Sequence, residues 1–291
     1  MKKTRLLPAL TLAALTALAA LSSAHAAAPA GFKEIFDWKS LAGWDGDLKW
    51  WRVQDGCLTG GSLTEKVPRN FFLTHARSFQ NFDLRLRIKL TGVPGTGMIN
   101  SGVQIRSIRV PKSTEMSGYQ VDYGKGWYGK IYDESRRNKV IAESKEAAAV
   151  LAAVKEGEWN EYRILAEGNR IRSWVNGVPA LDYVETEPNI AADGKIGLQI
   201  HSGGMAVIQA KDITIEELPA TPGALTWDKV KPAAKKAEPA KAAAPRKDTS
   251  YNDVQGVRRT AEEQQKLFKL PEGFEIELFA KESADFGKFI M

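Results

Sequence analysis

The stretch FDLRLRIKL, residues 82–90, alternates apolar and charged side chains without a break: every even-numbered residue is apolar and every odd-numbered one is charged. Successive side chains of a β-strand point to opposite faces, so this period of two predicts a strand with one buried face. A strand with one apolar and one solvated face is typical of an antiparallel sheet that packs on a single core.

The same pattern extends through the chain on both sides of this strand. VIQAKDITIEEL (207–218) has a period of two, and residues 161–183 read as three strands joined by Glu-Gly-Asn and Asn-Gly turns. Only residues 141–156 look helical, and they could equally form a long excursion between strands. Residues 31–218 are therefore predicted to fold as one all-β domain with little helix, an antiparallel β-sandwich or jelly roll.

The first 26 residues carry the pattern of a secretory signal peptide. A basic start, Met1–Arg5, precedes the apolar run Leu6–Leu21 and the small-x-small triplet that ends at Ala26. The run is short for a membrane anchor, and no later stretch is apolar enough to span a bilayer. We expect cleavage after Ala26, a domain that occupies residues 27–218, and a periplasmic or secreted location.

The C-terminal part of the chain differs in composition from the predicted domain. Residues 219–247 are rich in Pro, Ala and Lys and are predicted to be an extended linker. Residues 248–291 are too few for an autonomous domain without stapling, so they are interpreted as a short tail or the truncated start of a further domain.

Charge and cysteine content narrow the classes of function. The net charge is +6, but the basic excess belongs to the predicted leader and linker, and residues 27–227 are almost neutral. A near-neutral domain gives no electrostatic reason to propose a nucleic-acid partner. Cys57 is the only cysteine, so no internal disulfide can form, and its strand-like apolar position predicts a buried small hydrophobe.

Three predicted strands carry unusual polar residues on one face. They are NSGVQIRS (100–107), GYQVDYG (118–124) and KIGLQIHSGG (195–204), each with two polar side chains at i and i+2. In register, they would form a patch of Gln104, Arg106, Gln120, Asp122, Gln199 and His201. Amides, carboxylates and imidazoles suit a polyhydroxylated ligand, and Trp127, Tyr128 and Tyr132 would supply aromatic platforms for sugar rings. The alternative is a merely polar rim in which Arg106 pairs with Asp122.

Eight fragments, in this order, carry a resemblance to a known family. They are GFKEIFDWKSLAGWDG, WWRVQDGCLTG, FFLTHARSFQNFDLRLRIKL, NSGVQIRS, GYQVDYG, GKIYDE, GEWNEYRILAEGNRIRSWVNGV and GKIGLQIHSGG. Together they resemble the 3-keto-disaccharide hydrolase domain family over residues 31–218. The resemblance implies a concanavalin-like jelly roll with a polar concave sheet as its site, and cleavage of glycosides oxidised to a ketone at carbon 3.

The chemistry of such a substrate suggests roles for the patch. A ketone at carbon 3 acidifies the hydrogen on carbon 2, so the reaction needs a base there and a positive group near the ketone oxygen. His201 and Asp122 are the candidate bases, and Arg106 is the candidate for holding the enolate oxygen. Candidate substrate-binding residues are Gln104, Gln120, Gln199, Trp127 and Tyr132.

Other functions stay open at this point. A conventional glycosidase would pair Asp122 with Asp133 or Glu134, and a concave sheet could also bind sugar without chemistry. LPEGFEIELFA (270–280) resembles the opening of sugar-dehydrogenase-like propeller domains, which suggests an interaction domain that anchors a sugar oxidoreductase.

No cofactor is firmly implied by the sequence. No ligand-spaced cluster appears, although a divalent cation at Asp122 and His201 is left open. A c-type haem is excluded within this chain because there is no Cys-x-x-Cys-His. His75, at the end of an apolar run, is interpreted as structural.

Overall fold

The computed structural model describes residues 28–230. The predicted signal peptide, the rest of the predicted linker from residue 231 and the tail lie outside these residues. Within residues 28–230 the secondary structure is almost entirely β, in the order β1 (Lys33–Glu34), β2 (Trp44–Asp45), β3 (Trp51–Gln54), β4 (Cys57–Ser62), β5 (Phe71–Phe79), β6 (Phe82–Gly92), β7 (Asn100–Arg109), β8 (Met116–Gly124), β9 (Lys130–Glu134), β10 (Val140–Glu143), α1 (Ala147–Ala153), β11 (Asn160–Glu167), β12 (Arg170–Val175), β13 (Val178–Val184), β14 (Gly194–Ile200) and β15 (Ala206–Glu217).

These strands form two antiparallel sheets. One has the order β13-β12-β11-β6-β15-β4-β3, with β1 also paired to β15, and the other has the order β10-β9-β8-β7-β14-β5-β2. Consecutive strands pair in β3–β4, β7–β10 and β11–β13, whereas β6, β14 and β15 pair with strands from distant parts of the chain. The prediction of an antiparallel β-sandwich is confirmed. Residues 141–156 contain part of β10 and the short α1, so both interpretations of that stretch hold in part.

The core fills the space between the two sheets. The even-numbered side chains of β6 point into it, and Leu84 and Ile88 are completely buried, as the alternation of FDLRLRIKL predicts. The facing sheet contributes residues such as Val121 and Leu198. Because every second residue of the seven-stranded sheet serves the core, the residues between them form its other, polar face.

Two residues predicted to be structural are buried. The Cys57 thiol is free and 3% exposed, and burial raises its pKa. His75 packs edge-on against Trp44 with ring centroids 5.1 Å apart and lies 5.4 Å from the ring of Phe79. Burial lowers the pKa of this imidazole. Both predictions are confirmed. No helix among residues 28–230 is long and apolar enough to cross a membrane.

A β-bulge bends the hairpin formed by β7 and β8. The register between the strands shifts between Ile105 and Ile108, and Arg106 in that interval has φ +47°. Bulges bend a strand and re-aim its side chains. Beyond the bulge, the hairpin tip, residues 108–116, lies over β14 and β5. The Thr74 hydroxyl donates to the Met116 sulfur, and Arg109 donates to the Phe72 carbonyl. The hairpin tip thus covers part of the polar face.

The chain does not become an extended linker at Pro219. The Asn81 amide donates to the Pro219 carbonyl at 2.7 Å, and the backbone nitrogen of Thr221 donates to the Gln80 side chain at 2.7 Å. The Trp227 indole donates to the Arg106 carbonyl at 3.1 Å. Residues 219–230 therefore pack on the folded domain, where the sequence predicts an extended linker from residue 219. Composition predicts a linker here because Pro and Lys are frequent, and it does not reveal that one tryptophan, Trp227, anchors the segment.

We expect Trp227→Ala to destabilise the domain. The change removes a half-buried indole, its hydrogen bond to the Arg106 carbonyl and its contact with the Arg136 guanidinium, 5.6 Å from the ring. A loss of about 2 kcal/mol in the free energy of unfolding is expected from urea titration. The control is Lys229→Ala, at an exposed residue of the same segment, and it should have little effect. Trp159→Ala, at the other sheet, is not a suitable control because three cations surround that ring. Equal stability of Trp227→Ala and wild type would show that this segment does not contribute to the fold.

Candidate functional site

A cavity of about 210 Å³ opens on the polar face of the seven-stranded sheet. Its walls come from β7, β8 and β9 and from loop residues beside β5, β8 and β14. The lining residues are polar or aromatic: Asn70, Asn100, Gln120, Asp122, Trp127, Tyr132, Glu134 and His201. The predicted patch therefore lies at a real concavity, and five of its six residues either line the cavity or support its wall.

Hydrogen bonds between side-chain amides fix the floor of this cavity. Gln104 Nε2 donates to Gln120 Oε1 at 3.3 Å, and Gln120 Nε2 donates to Asp122 Oδ1 at 2.9 Å and to Gln199 Oε1 at 3.2 Å. Gln199 Nε2 donates to Glu134 Oε2 at 3.4 Å. Gln104 and Gln199 are fully buried and do not line the cavity. They hold Gln120 and Glu134 from behind the cavity wall, and their predicted role in substrate binding stays a prediction.

Glycines on the same face make room for this arrangement. A Cβ atom at Gly102 would lie 2.6 Å from Gln120 Cγ, and one at Gly124 would lie 3.0 Å from Asn100 Nδ2. Real Cβ contacts are not that short, so side chains at these positions would displace Gln120 and crowd Asn100. The glycine in NSGVQIRS is thus required by the close approach of a glutamine from the neighbouring strand.

Asp122 is a buried carboxyl group with one unpaired oxygen. The residue is 2% exposed, Oδ1 accepts from Gln120, and Oδ2 has no hydrogen-bond partner within the described residues. Burial raises its pKa from the ordinary 3.8 to about 8, and the negative charge of Glu134 contributes to the rise. Asp122 therefore keeps its proton at neutral pH.

Glu134 is a second carboxyl group that holds its proton near neutral pH. Burial raises its pKa to about 7, and Glu115 of the hairpin tip adds charge repulsion. Asp133, the neighbouring candidate from the sequence, points to the other side of β9, where Arg136 and Arg137 bind its carboxylate. Of the two carboxylates that the sequence offered as a partner for Asp122, the structure places only Glu134 at the cavity.

His201 lies at the end of β14 with a defined tautomer. Its Nδ1 is 2.8 Å from the carbonyl oxygen of Ser202. A carbonyl oxygen only accepts hydrogen bonds, so Nδ1 carries a hydrogen, and in the neutral imidazole Nε2 is then the nitrogen with the lone pair. The loop that follows is held in place because the Asn70 side chain accepts from the Ser202 backbone nitrogen at 3.0 Å. The orientation of the His201 ring is therefore fixed by its Nδ1 contact and by the anchored loop.

Arg106 is not part of the site. Its guanidinium donates to the carbonyl oxygens of Gln80 and Gly168 and to the side-chain oxygen of Asn81 at 2.7–3.0 Å. These acceptors lie in the β5–β6 connection and in a turn of the other sheet, so the side chain reaches across the end of the sandwich. The bulge at residue 106 breaks the alternation that placed Arg106 beside Gln104. Arg106 also makes no ion pair with Asp122, which corrects the alternative of a polar rim.

The aromatic residues divide between the cavity and the core. Trp127 and Tyr132 line the cavity and meet edge-on with ring centroids 6.3 Å apart. Tyr128 packs instead against Tyr123, with centroids 5.2 Å apart, at the edge of the hydrophobic core. Trp127 and Tyr132 therefore lie at the site, and Tyr128 lies outside it.

Two lining residues were missed by the sequence analysis. Asn100 has the same parity as Gly102 and Gln104, so the period of two in NSGVQIRS already placed it on the polar face. Asn70 precedes β5 in a loop, where no periodic pattern assigns a direction to a side chain. Among residues 28–230, no three His, Cys, Asp or Glu side chains come together in a way that could hold a metal ion.

Two sheets in a sandwich and a polar, aromatic-lined cavity on a concave face define a jelly-roll domain that binds or processes carbohydrate. Residues 31–216 match the 3-keto-alpha-glucoside-1,2-lyase-like domain, and the chain belongs to that family.

Solved structures with a similar fold are known, and no curated protein matches the chain. A "putative glycosyl hydrolase" from Parabacteroides distasonis ATCC 8503 has 18% sequence identity and a TM-score of 0.47, covering 65% of this chain and 94% of its own. The carbohydrate-binding module CBM66 from Bacillus subtilis has 19% identity and a TM-score of 0.45, covering 60% of this chain and 96% of its own.

We expect Asp122→Asn to stabilise the domain increasingly as the pH rises. The folded protein keeps the Asp122 proton up to about pH 8, whereas the unfolded chain loses it near pH 4, so wild-type stability falls across this interval. Asparagine can still accept from Gln120 and carries no such proton. Thermal unfolding should show equal Tm at pH 4 and a Tm about 5 °C higher for the variant at pH 8. The control is Asp182→Asn, which changes an exposed ion pair with Arg170. An Asp122→Asn protein less stable than wild type at pH 8 would contradict a buried, protonated carboxyl group at Asp122.

Proposed function

We propose that this domain is an exported enzyme that cleaves 3-keto-glycosides by removing the proton on carbon 2 and expelling the aglycone from carbon 1. The observation that carries the proposal is the cavity itself, which is lined both by His201, with its ring oriented through Nδ1, and by two carboxyl groups of raised pKa, Asp122 and Glu134. An elimination needs both a base and an acid in one place. Family membership supports the same substrate class.

His201 is the better candidate for the base. Of the two bases suggested by the sequence, Asp122 is protonated at neutral pH and so cannot accept a proton there. His201 has its Nδ1 hydrogen engaged by the Ser202 carbonyl, which leaves Nε2 free to accept. The hydrogen bond also orients the ring, as a second partner does for many catalytic histidines.

Glu134 is the candidate acid for the leaving group. It lines the cavity, and its pKa of about 7 allows it to hold a proton at neutral pH and to give it up. In the proposed reaction, Nε2 takes the carbon 2 proton and the bonding pair forms the enolate. The enolate then expels the carbon 1 oxygen, which receives the Glu134 proton, and a carbon 1–carbon 2 double bond forms. Addition of water across that bond would give the free 3-keto sugar.

A conventional two-carboxylate mechanism has less support. That mechanism needs one ionised carboxylate as nucleophile or base and one protonated acid. Burial raises the pKa of Asp122 to about 8 and that of Glu134 to about 7, so at neutral pH Glu134 is ionised in only part of the molecules. Asp133 is bound by arginines away from the cavity.

The experiment is to incubate the protein with methyl 3-keto-glucoside and, separately, with unoxidised methyl glucoside in D₂O, followed by NMR. We expect consumption of the ketone only, with deuterium entering carbon 2. Cleavage of the unoxidised glucoside would favour the two-carboxylate hydrolase. Binding of either sugar without cleavage or exchange would leave a carbohydrate-binding module.

The proposed substrate also implies a preceding reaction. A ketone at carbon 3 of a glycoside arises by oxidation of the secondary alcohol, so a sugar oxidoreductase must supply the substrate. The signal-like residues 1–26 and the propeller-like start at residues 270–280 support export and an association with such an enzyme.

A further inference from the structure

The elimination chemistry requires a hydrogen-bond donor at the ketone oxygen, and Arg106 does not supply it. As negative charge develops on that oxygen, a preorganised donor in a water-poor site lowers the barrier. The guanidinium of Arg106 is committed to three acceptors at the end of the sandwich. The donor must therefore be sought among the residues that line the cavity.

Geometry restricts where this donor can lie. The ketone is on carbon 3 and the acidic hydrogen is on carbon 2, so the donor and the base must act on adjacent atoms. Asn100 is the direct neighbour of His201, because the His201 backbone nitrogen donates to the Asn100 carbonyl at 3.3 Å. Asn100 opens β7 and lines the cavity beside the base.

The side-chain nitrogen of Asn100 is a buried hydrogen-bond donor. The residue is 2% exposed, and its Nδ2 has no acceptor within the described part of the chain. A buried amide donor without an acceptor is destabilising, and a ligand oxygen that accepts from it relieves this cost. Rotation about the last side-chain bond is broad for asparagine, so the NH₂ group can turn towards a ligand.

The other two lining amides are already engaged: Asn70 hydrogen-bonds the Glu115 carboxyl group and accepts from the Ser202 backbone nitrogen. Gln120 Nε2 donates to both Asp122 and Gln199, which uses its two hydrogens. Gly124 keeps space beside Asn100, since a Cβ there would lie 3.0 Å from Nδ2.

We propose that Asn100 is a catalytic residue that donates a hydrogen bond to the carbon 3 oxygen as the enolate forms. This proposal rests on the proposed function. It differs from a general sugar-binding role because the bond strengthens only when the oxygen becomes negative. Loss of the donor should therefore lower kcat much more than it raises KM.

The test compares wild type with Asn100→Ala and Asn100→Asp on methyl 3-keto-glucoside. Asn100→Ala should lower kcat about 100-fold, the scale for one lost oxyanion donor, with KM changed less than about threefold. Asn100→Asp keeps the shape but replaces the donor with an acceptor, so turnover should fall at least as far. Deuterium exchange at carbon 2 should slow by the same factor, because enolate formation is the step affected.

Controls separate this proposal from a folding defect and from the proposed function. Asn169→Ala, in the exposed β11–β12 turn, should keep wild-type turnover. Thermal unfolding verifies that each variant is folded, and turnover is expressed per folded molecule. Wild-type kcat in a folded Asn100→Ala or Asn100→Asp protein would overturn the role of Asn100 while leaving the proposed function intact. A wild-type protein that does not turn over methyl 3-keto-glucoside would overturn both the proposed function and the role of Asn100.

Discussion

His201→Ala is expected to lower turnover of methyl 3-keto-glucoside at least about 100-fold, the scale for a lost general base. The variant removes the one cavity nitrogen whose lone pair is left free by its hydrogen bond, since Nδ1 is engaged by the Ser202 carbonyl. The carbon 2 proton would then have only water or a protonated carboxyl group beside it. Exchange of the carbon 2 hydrogen with D₂O should fade in parallel with cleavage.

Binding and folding provide the controls for this prediction. The affinity for unoxidised methyl glucoside should change much less than turnover, because that sugar has no acidic hydrogen on carbon 2. His75→Gln removes the other histidine of the described domain, which packs on Trp44 away from the cavity, and should keep wild-type activity per folded molecule. If His201→Ala turned over the ketone as fast as wild type, the base would have to be Asp122 or Glu134 in its ionised form.

The fold could be predicted from the sequence because its signals are local and repeated. Alternation of apolar and charged residues in FDLRLRIKL follows directly from the pleat, and Leu84 and Ile88 are buried as that pattern requires. The same parity correctly grouped Gln104, Gln120, Asp122, Gln199 and His201 near one concave face. Parity does not show how deeply a side chain is buried. It therefore could not distinguish Gln104, which lies behind the cavity floor, from Gln120, which lines the cavity.

The errors arose where the chain departs from a regular strand. A bulge adds a residue to β7 and re-aims the Arg106 side chain, and no glycine between Ile105 and Ile108 indicates it in the sequence. Asn70 lies in a loop, where side-chain direction depends on tertiary contacts such as its bond to Ser202. Trp227 is a single anchor within a segment whose composition is that of a linker. Each error concerns a contact between residues far apart in sequence.

Arg106 is a buried cation whose removal should destabilise the fold and leave the chemistry intact. Its pKa is lowered to about 10, chiefly by burial, and its guanidinium satisfies the Gln80 and Gly168 carbonyls and the Asn81 side chain. These acceptors belong to connections at one end of the sandwich, so Arg106 ties the two sheets together there. A shorter neutral side chain would leave up to three acceptors without donors.

We therefore expect Arg106→Gln to lower the free energy of unfolding by about 3 kcal/mol, measured by urea titration. Tm should fall by roughly 6–12 °C for a domain of this size. Arg77→Gln, which breaks an exposed pair with Glu217, should change stability by less than about 0.5 kcal/mol. Below its Tm, Arg106→Gln should turn over methyl 3-keto-glucoside within about threefold of wild type, because the guanidinium does not reach the cavity. A folded Arg106→Gln protein with a 100-fold lower kcat and unchanged stability would instead place the guanidinium at the ketone oxygen.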